Sequence, residues 1–359
     1  MDILFSFVAF FFLALFVLGL VEPKYVIWTK NKRRINVIKY YGSLFLIFFL
    51  TSTYLFPLGE EVQRIPVKNF NVSSLLSSLK DKIKKDTPAL SEEVNVSQDY
   101  SGKLRVHFID VGQADSILIE NNGESMLIDA GNNSDSKLLL DYLRKNNIKK
   151  LNYVVGTHPH EDHIGSLDTV INNFQIGKVL LPDIIHTTKT YRDVITAIKT
   201  KNIKATKPKV GDTFNIGDAT CVVLAPKDKK YDNLNDYSIV IKVLFGNTSY
   251  LFTGDSEKDS EEDLVRSRIS LKSNVLKVGH HGSRSSTSEA FLGEVSPKYA
   301  VISCGRKNDY KHPHKETIER LRLRGIPVYR TDESGTIIST SNGNEITFNV
   351  TPGSYNYPK

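Results

Sequence analysis

Hydrophobic and polar positions divide this chain into regions that follow different rules. From Ile3 to Leu20 no charged residue appears, and only Ser6 and Gly19 break an aliphatic and aromatic run. As a helix, those residues rise about 27 Å, close to the hydrocarbon thickness of a bilayer. A second uncharged run extends from Tyr40 to Gly59, with Pro57 near its end and no polar face along it. Tyr25 and Trp28 follow the first run, and Tyr40 and Tyr41 open the second, as expected for aromatic residues at a membrane–water interface. The pattern predicts a two-span anchor over residues 1–59, with spans at about 3–20 and 40–58. A cleaved signal peptide fits less well, because no basic segment precedes the first run and a second long run follows it. Polar Ser, Asn, Lys and Glu residues then make 60–102 a linker, in which Leu75, Leu76 and Leu79 could line one short amphipathic helix.

From Lys103 the pattern changes to short β-rich runs separated by turns and helices. Leu104–Ile109, Ser116–Glu120 and Ser125–Ile128 read as strands, the last two joined by the turn sequence Asn121-Asn122-Gly123. Ser134 or Asp135 can cap a helix carrying Leu138, Leu139, Tyr142 and Leu143 on one stripe. Further strands are expected at Tyr153–Gly156, Lys178–Leu181, Thr220–Leu224, Ser238–Phe245, Ser249–Phe252, Val275–Val278 and Tyr299–Ile302. Helices are expected at Tyr191–Thr200, Glu257–Arg268, Ser286–Leu292 and His314–Arg324. Strands alternating with helices predict an α/β domain over 103–350, followed by a tail at 351–359.

Charge adds the orientation. Of the net +7, residues 1–39 contribute +4 through six basic residues against Asp2 and Glu22, leaving +3 for the other 320 residues. The basic loop between the two runs belongs in the cytoplasm by the positive-inside rule, so the α/β domain is expected outside the cell. The expected location is the cell membrane, multi-pass, with the bilayer as a partner. So mild a charge on the remaining chain does not by itself mark a nucleic-acid-binding protein. Two cysteines, Cys221 and Cys304, exclude a disulfide-stapled scaffold and a thiolate zinc site. Lys227, Lys229 and Lys230 read as a solvated charged loop.

Candidate chemistry concentrates in Thr157-His158-Pro159-His160-Glu161-Asp162-His163, directly after an apolar strand. In an extended loop His158 and His160 can point together, while Asp162 and His163 turn back toward an adjacent position. Imidazoles and carboxylates at this density suit zinc or manganese. Asp110, Asp129, Asp255 and His280 also follow the ends of strands, the arrangement of a site assembled at one edge of a sheet system.

These motifs resemble those of metallo-β-lactamase-fold hydrolases. The resemblance rests on His158-x-His160-x-Asp162-His163, on Leu127-Ile128-Asp129-Ala130-Gly131 and on Leu251-Phe252-Thr253-Gly254-Asp255. Phe108 to Ser116, Leu276 to Ser283 and Tyr310-Lys311-His312-Pro313-His314 narrow it to the soluble domain of ComEC-type DNA-uptake proteins. The resemblance covers roughly 103–340 and implies an αββα sandwich with two divalent metal ions, zinc or manganese. Carried over, His158 and His160 would hold the first ion. Asp162 and His163, with a histidine from the 280–281 pair, would hold the second, and Asp255 would bridge. His280 is the preferred ligand of the pair; His281 could replace it, support it as a donor, or carry a proton. Asp129 is expected to orient the ligand loop.

The histidine that the fold often supplies between these motifs has no counterpart except His186, in an expected surface loop. Asn235 or Asp236 could face the cavity instead, or cap the following strand, and a single-metal state stays open. Gly282, Ser283, Ser286 and neighbouring hydroxyls offer donors to a phosphate at an expected helix start, and Asp110 and Gln113 are read as further substrate-binding residues. Asp162 and His281 are read as catalytic as well, and His312 or His314 could protonate a leaving oxygen or grip a second phosphate.

The resemblance implies a phosphodiesterase or nuclease acting on DNA. A cell-wall phosphodiester polymer is the alternative substrate, because teichoic-acid phosphorylcholine esterases are similar in the same motifs. A non-catalytic metal-binding or structural role would require these ligands to bind no metal, or to bind it without turnover. Neither the oligomeric state nor the natural substrate follows from the sequence.

Overall fold

In a computed structural model the protein is described over residues 102–358, residue 268 excepted. The expected spans at 3–20 and 40–58, and the linker up to residue 101, lie outside the described residues. Among the described residues, no helix is long and apolar enough to cross a membrane.

Two mixed sheets form the centre of the domain. In the first, β1 (Leu104–Phe108), β2 (Ile117–Asn121) and β3 (Glu124–Ile128) pair antiparallel in sequence. β4 (Lys150–Val155), β5 (Gln175–Leu180) and β6 (Ala205–Thr206) then extend it in parallel from β3. In the second, β7 (Thr213–Ile216), β8 (Ala219–Ala225), β9 (Val240–Phe245) and β10 (Thr248–Phe252) are antiparallel. β11 (Val275–Lys277), β12 (Tyr299–Ile302) and β13 (Val328–Arg330) follow in parallel. The chain then returns to the first sheet through β14 (Ile337–Ser341), beside β1, and β15 (Ile346–Phe348), completing eight strands against seven.

Alternation along the strands explains the layering. Leu104, Val106 and Phe108 of β1 meet Ile241, Val243, Tyr250 and Phe252 in the core between the sheets. Leu118, Leu127 and Val154 face outward onto α1 (Ser136–Lys145), α3 (Leu167–Asn173) and α4 (Lys189–Thr200), in a cluster with Leu139, Val170 and Val194. Leu251, Leu276 and Ile302 meet α5 (Lys258–Arg266), α6 (Glu289–Val295) and α7 (Lys315–Leu323) through Leu264, Phe291 and Ile318. The result is the expected αββα sandwich, with strands apolar on both faces because both are covered. Burying one large apolar side chain fully stabilises the fold by about 1.5–3 kcal/mol, so the three clusters carry the sandwich.

The structure moves one helix start and adds elements the pattern did not show. The helix expected from Ser286 begins at Glu289, because Ser288 is its cap and its Oγ accepts the Phe291 N–H at 3.3 Å. A four-residue helix, α2 (Glu161–Ile164), forms inside the histidine-rich segment, and α8 (Thr331–Ser334) follows β13. The segment read as a tail lies against β13. Gly353 N–H donates to Val328 O at 2.7 Å, and Tyr355 Oη donates to Ile326 O at 2.8 Å.

Candidate metal centre

Loops after β3, β4, β10, β11 and β12 meet at one place. His158 and His160 lie in the loop after β4, and His163 lies in α2. Close backbone approach holds that turn: a Cβ at Gly165 would lie 2.2 Å from the Asn132 carbonyl carbon, so only glycine fits. Gly165 N–H donates to Gly131 O at 2.8 Å, joining the turn to the loop after β3.

Asp129 orients this turn from beneath. Its carboxylate accepts from Thr157 N–H, Thr157 Oγ1 and His163 Nδ1, each at 2.8 Å. Asp129 adopts φ +60°, a conformation costly for a non-glycine residue, and these three bonds offset the cost. With Nδ1 engaged, His163 presents Nε2, which lies 3.2 Å from Asp255 Oδ2 and 3.7 Å from Asp162 Oδ2.

His281 approaches from the second sheet. Its Nδ1 donates to Ser303 O at 3.0 Å and lies 3.4 Å from Asp115 Oδ1. Nε2 is thereby left facing Asp162 Oδ2 at 3.2 Å and Asp255 Oδ2 at 3.5 Å. Asp162, His163, Asp255 and His281 each offer one ligand atom, and the four atoms lie within 4.8 Å of one another. Beside them, His158 Nε2 and His160 Nδ1 are 3.0 Å apart, a spacing that also suits two nitrogens on one ion. The His158 and His163 ring centroids are 4.1 Å apart, so the two groups adjoin.

The donor set fits divalent metal. Among the described residues, His163 Nε2 and Asp255 Oδ1 are buried without hydrogen-bond partners, an arrangement that is costly unless an ion occupies the space between such atoms. Burial lowers the basicity of His163 and His281, yet Asp255 and the other carboxylates outweigh it, raising His163 well above its usual range and His281 to about 10. Burial likewise raises Asp162 and Asp255, but His163 and His281 hold both below the ordinary carboxylate range. The cluster demands positive charge, which protons supply in the metal-free protein and a divalent cation supplies when bound.

Some expected residues take other positions. His281, rather than the preferred His280, lies within the four-residue ligand group. His280 is partly exposed; its Nδ1 meets Glu257 Oε1 at 2.8 Å, and its Nε2 lies 3.7 Å from Asp255 Oδ2. The chain reverses between the two histidines, with φ +48° at His280 and +53° at His281, so their rings diverge. Asp236 does not reach the cluster; its Oδ1 accepts the Glu257 and Ser260 N–H groups at the start of α5. Asn235 donates to Glu257 Oε1 at 2.9 Å. Ser286 is buried, with its hydroxyl on Ser256 O at 2.8 Å, and Glu261 accepts the Thr287 and Ser288 N–H groups. The expected phosphate cradle is therefore occupied from within. Ser283 pairs with Ser285, hydroxyl to hydroxyl at 2.9 Å. Gly282 serves close packing, since a Cβ there would meet Pro313 Cβ at 2.6 Å. Asp110 folds onto its own turn, accepting from Gly112 N–H at 3.2 Å.

Gln113 reaches the site through His312. Gly305 N–H donates to Gln113 Oε1 at 3.0 Å, which fixes the amide so that Nε2 donates to His312 Nδ1 at 3.2 Å. His312 therefore carries its proton on Nε2. Burial and His281 push its basicity down to about 3, so at neutral pH it is an uncharged hydrogen-bond donor. The Arg284 N–H donates to His314 Nδ1 at 3.1 Å, giving His314 the same tautomer. Exposed Tyr310 lies nearly parallel to the His312 ring, with centroids 5.7 Å apart. His186 lies in the β5–α4 loop and lines, with His160 and Lys189, a cavity beside the site.

Several contributors carried no assigned role in the sequence. Ser238 Oγ lies 3.3 Å from His158 Nδ1 and accepts the Asp255 N–H at 3.1 Å. Glu257 holds His280, and Lys277 pairs with Asp115 beneath His281. A lysine inside the otherwise apolar β11 was the available signal, since a buried cation requires a partner.

A family model described as the metallo-beta-lactamase superfamily matches residues 109–306, and the chain belongs to that superfamily. It is a ComEC-like member with a metal-dependent hydrolase fold. ComE operon protein 3 of Bacillus subtilis is 31% identical over 270 residues, covering 70% of this chain and 35% of that protein. Recombination protein 2 of Haemophilus influenzae is 33% identical over 238 residues, covering 65% and 28%. Competence protein ComA of Neisseria gonorrhoeae is 31% identical over 230 residues, covering 64% and 31%. The chain thus spans about a third of the length of these relatives.

Proposed function

We propose that this chain is a metal-dependent phosphodiesterase that acts on DNA, held in the cell membrane by residues 1–59 with its hydrolase domain outside. One arrangement carries the reaction class: ligand atoms of Asp162, His163, Asp255 and His281 gather on one side, with neutral imidazole donors nearby. His158 and His160 would hold one ion, and Asp162, His163 and His281 the other, with Asp255 between them. Divalent zinc or manganese there would supply Lewis-acid polarisation and neutralise charge built up during phosphodiester hydrolysis.

The surrounding side chains support a phosphate ester. Gln113 keeps the His312 Nε2–H as a donor to an anionic oxygen, and the Arg284 N–H does the same for His314. Tyr310 presents an exposed ring suited to stacking on a base. A recombination protein and a competence protein among the relatives support DNA as the polymer.

The test is a turnover screen of the metal-loaded full chain on single- and double-stranded DNA, bis-nitrophenyl phosphate, phosphorylcholine esters and a β-lactam. Cleavage of DNA and bis-nitrophenyl phosphate is expected. Turnover confined to phosphorylcholine esters would favour the cell-envelope substrate, and turnover of the β-lactam alone would overturn the reaction class.

A further inference from the structure

We propose that a lysine-lined cavity beside the metal centre binds the phosphate backbone of a DNA strand and leads it toward the ligands. This inference rests on the DNA-hydrolase reading above. Lys207, Lys209, Lys227, Lys229 and Lys230 all line one cavity of about 560 Å³, between the β6–β7 connection and the loop after β8. The two lysine groups flank the β7–β8 hairpin, whose pairing brings them side by side.

Local acids neutralise only part of this charge, since Asp183 and Asp228 line the cavity against five lysines. Asp183 pairs with Lys207; Asp263 takes Lys227 at 3.3 Å and Lys229 at 2.7 Å. Lys229 Nζ also lies 4.6 Å above the Tyr231 ring, which holds the loop in place. Lys209 and Lys230 are exposed and make no ion pair among the described residues. Between the cations, Pro208, Val210, Pro226 and Tyr237 supply apolar wall. Cations spaced along an apolar trough match a strand whose phosphates alternate with sugars and bases. A bilayer surface would instead favour a flat or protruding basic face.

Two connections lead from the cavity to the metal ligands. Tyr237 lines the cavity, and the next residue, Ser238, contacts His158 Nδ1 and the Asp255 N–H. Asp183 lines it as well, and the same β5–α4 loop carries His186 into the neighbouring cavity that His160 borders. A backbone gripped at the lysines therefore lies one loop away from the site.

The experiment uses the full chain stripped of metal with a chelator, so that binding is read without cleavage. A fluorescent single-stranded oligonucleotide is titrated by anisotropy over a series of salt concentrations. The Lys209→Ala/Lys230→Ala double variant should bind roughly tenfold more weakly at low salt, and its log affinity against log salt slope should be shallower by about 1.4. Metal-loaded, the same variant should hydrolyse bis-nitrophenyl phosphate at the wild-type rate. Wild-type affinity and slope in the variant would overturn the proposal. A wild-type chain that binds through these lysines but leaves the strand uncut would uphold the cavity and defeat the hydrolase reading.

Discussion

Lys277 Nζ donates to Asp115 Oδ2 at 2.7 Å, and both side chains are buried. The pair bridges the two sheets, since Lys277 lies in β11 and Asp115 in the loop between β1 and β2. Burial raises the Asp115 carboxyl, but Lys277 and His281 outweigh it and bring it down to about 2. Asp115 therefore remains an anion under the Nδ1 edge of His281, the histidine that faces the cluster.

Removing that lysine should damage metal binding through Asp115. Lys277→Met leaves the buried Asp115 carboxylate with His281 beside it but without its lysine, and should cost about 3–5 kcal/mol of stability. Metal affinity should fall by about 10–100-fold, as for other groups that orient a ligand from behind. A Lys277→Met/Asp115→Leu double variant should recover much of the stability but not the affinity. Full recovery of both, by calorimetry and metal titration, would remove Asp115 from the ligand support.

Purified protein should contain one to two equivalents of a transition metal, zinc or manganese. Asp255→Ala should disturb both positions, whereas His160→Ala should mainly weaken the first. Metal content by elemental analysis decides this, and an Asp255→Ala protein with wild-type metal and rate contradicts the bridging role.

Metal binding should release protons and tighten as pH rises, because His281, with a metal-free pKa of about 10, must lose its proton to become a ligand. The sign for stability is opposite. A folded value above the unfolded value of about 6.5 gives stabilisation that is complete below 6.5 and lost as pH rises through about 10. The midpoint temperature of stripped protein should therefore fall over that interval, and more steeply than in a His281→Ala variant. Parallel pH profiles for the two proteins would show that His281 is not the group responsible.

Turnover should depend on residues in graded fashion. Asp162→Ala should reduce it by at least about 100-fold, the scale expected for damage to a catalytic metal centre. Ser283→Ala should cost much less, and His186→Ala should keep most activity. Ser286→Ala should act on folding instead, because its buried hydroxyl bonds Ser256 O. Equal rates for Asp162→Ala and wild type would remove Asp162 from the centre.

Protease added to cells with an accessible outer membrane face should digest the hydrolase domain and spare the basic loop between residues 20 and 40. Protection of the domain until the membrane is opened would reverse the proposed orientation.

Much of the fold was legible because its central strands are apolar runs with sharp ends. Short edge elements were not: β7 reads Thr-Phe-Asn-Ile and β15 Ile-Thr-Phe, each formed by pairing with a longer neighbour. In the site, the density of His158 to His163 was visible, and so was Asp129 as an orienting residue. The choice between His280 and His281 was not, because it depends on consecutive left-handed conformations that swing adjacent rings apart. Ser286 misled for a similar reason. A serine before a helix looks available to a ligand, and only tertiary packing shows it turned inward. The two lysine groups lie at the open end of the β7–β8 hairpin and meet only when its strands pair.

Because the candidate centre takes His163 and Asp162 from one sheet's loops and Asp255 and His281 from the other's, it acts as a gauge of the distance between the sheets. Phe108 and Phe252, with ring centroids 6.2 Å apart, belong to the core that holds the sheets at that distance. Loosening there stretches the ligand set before any strand is lost. On gradual heating the ions should depart ahead of the secondary structure, so metal release would report the earliest breathing of the sandwich.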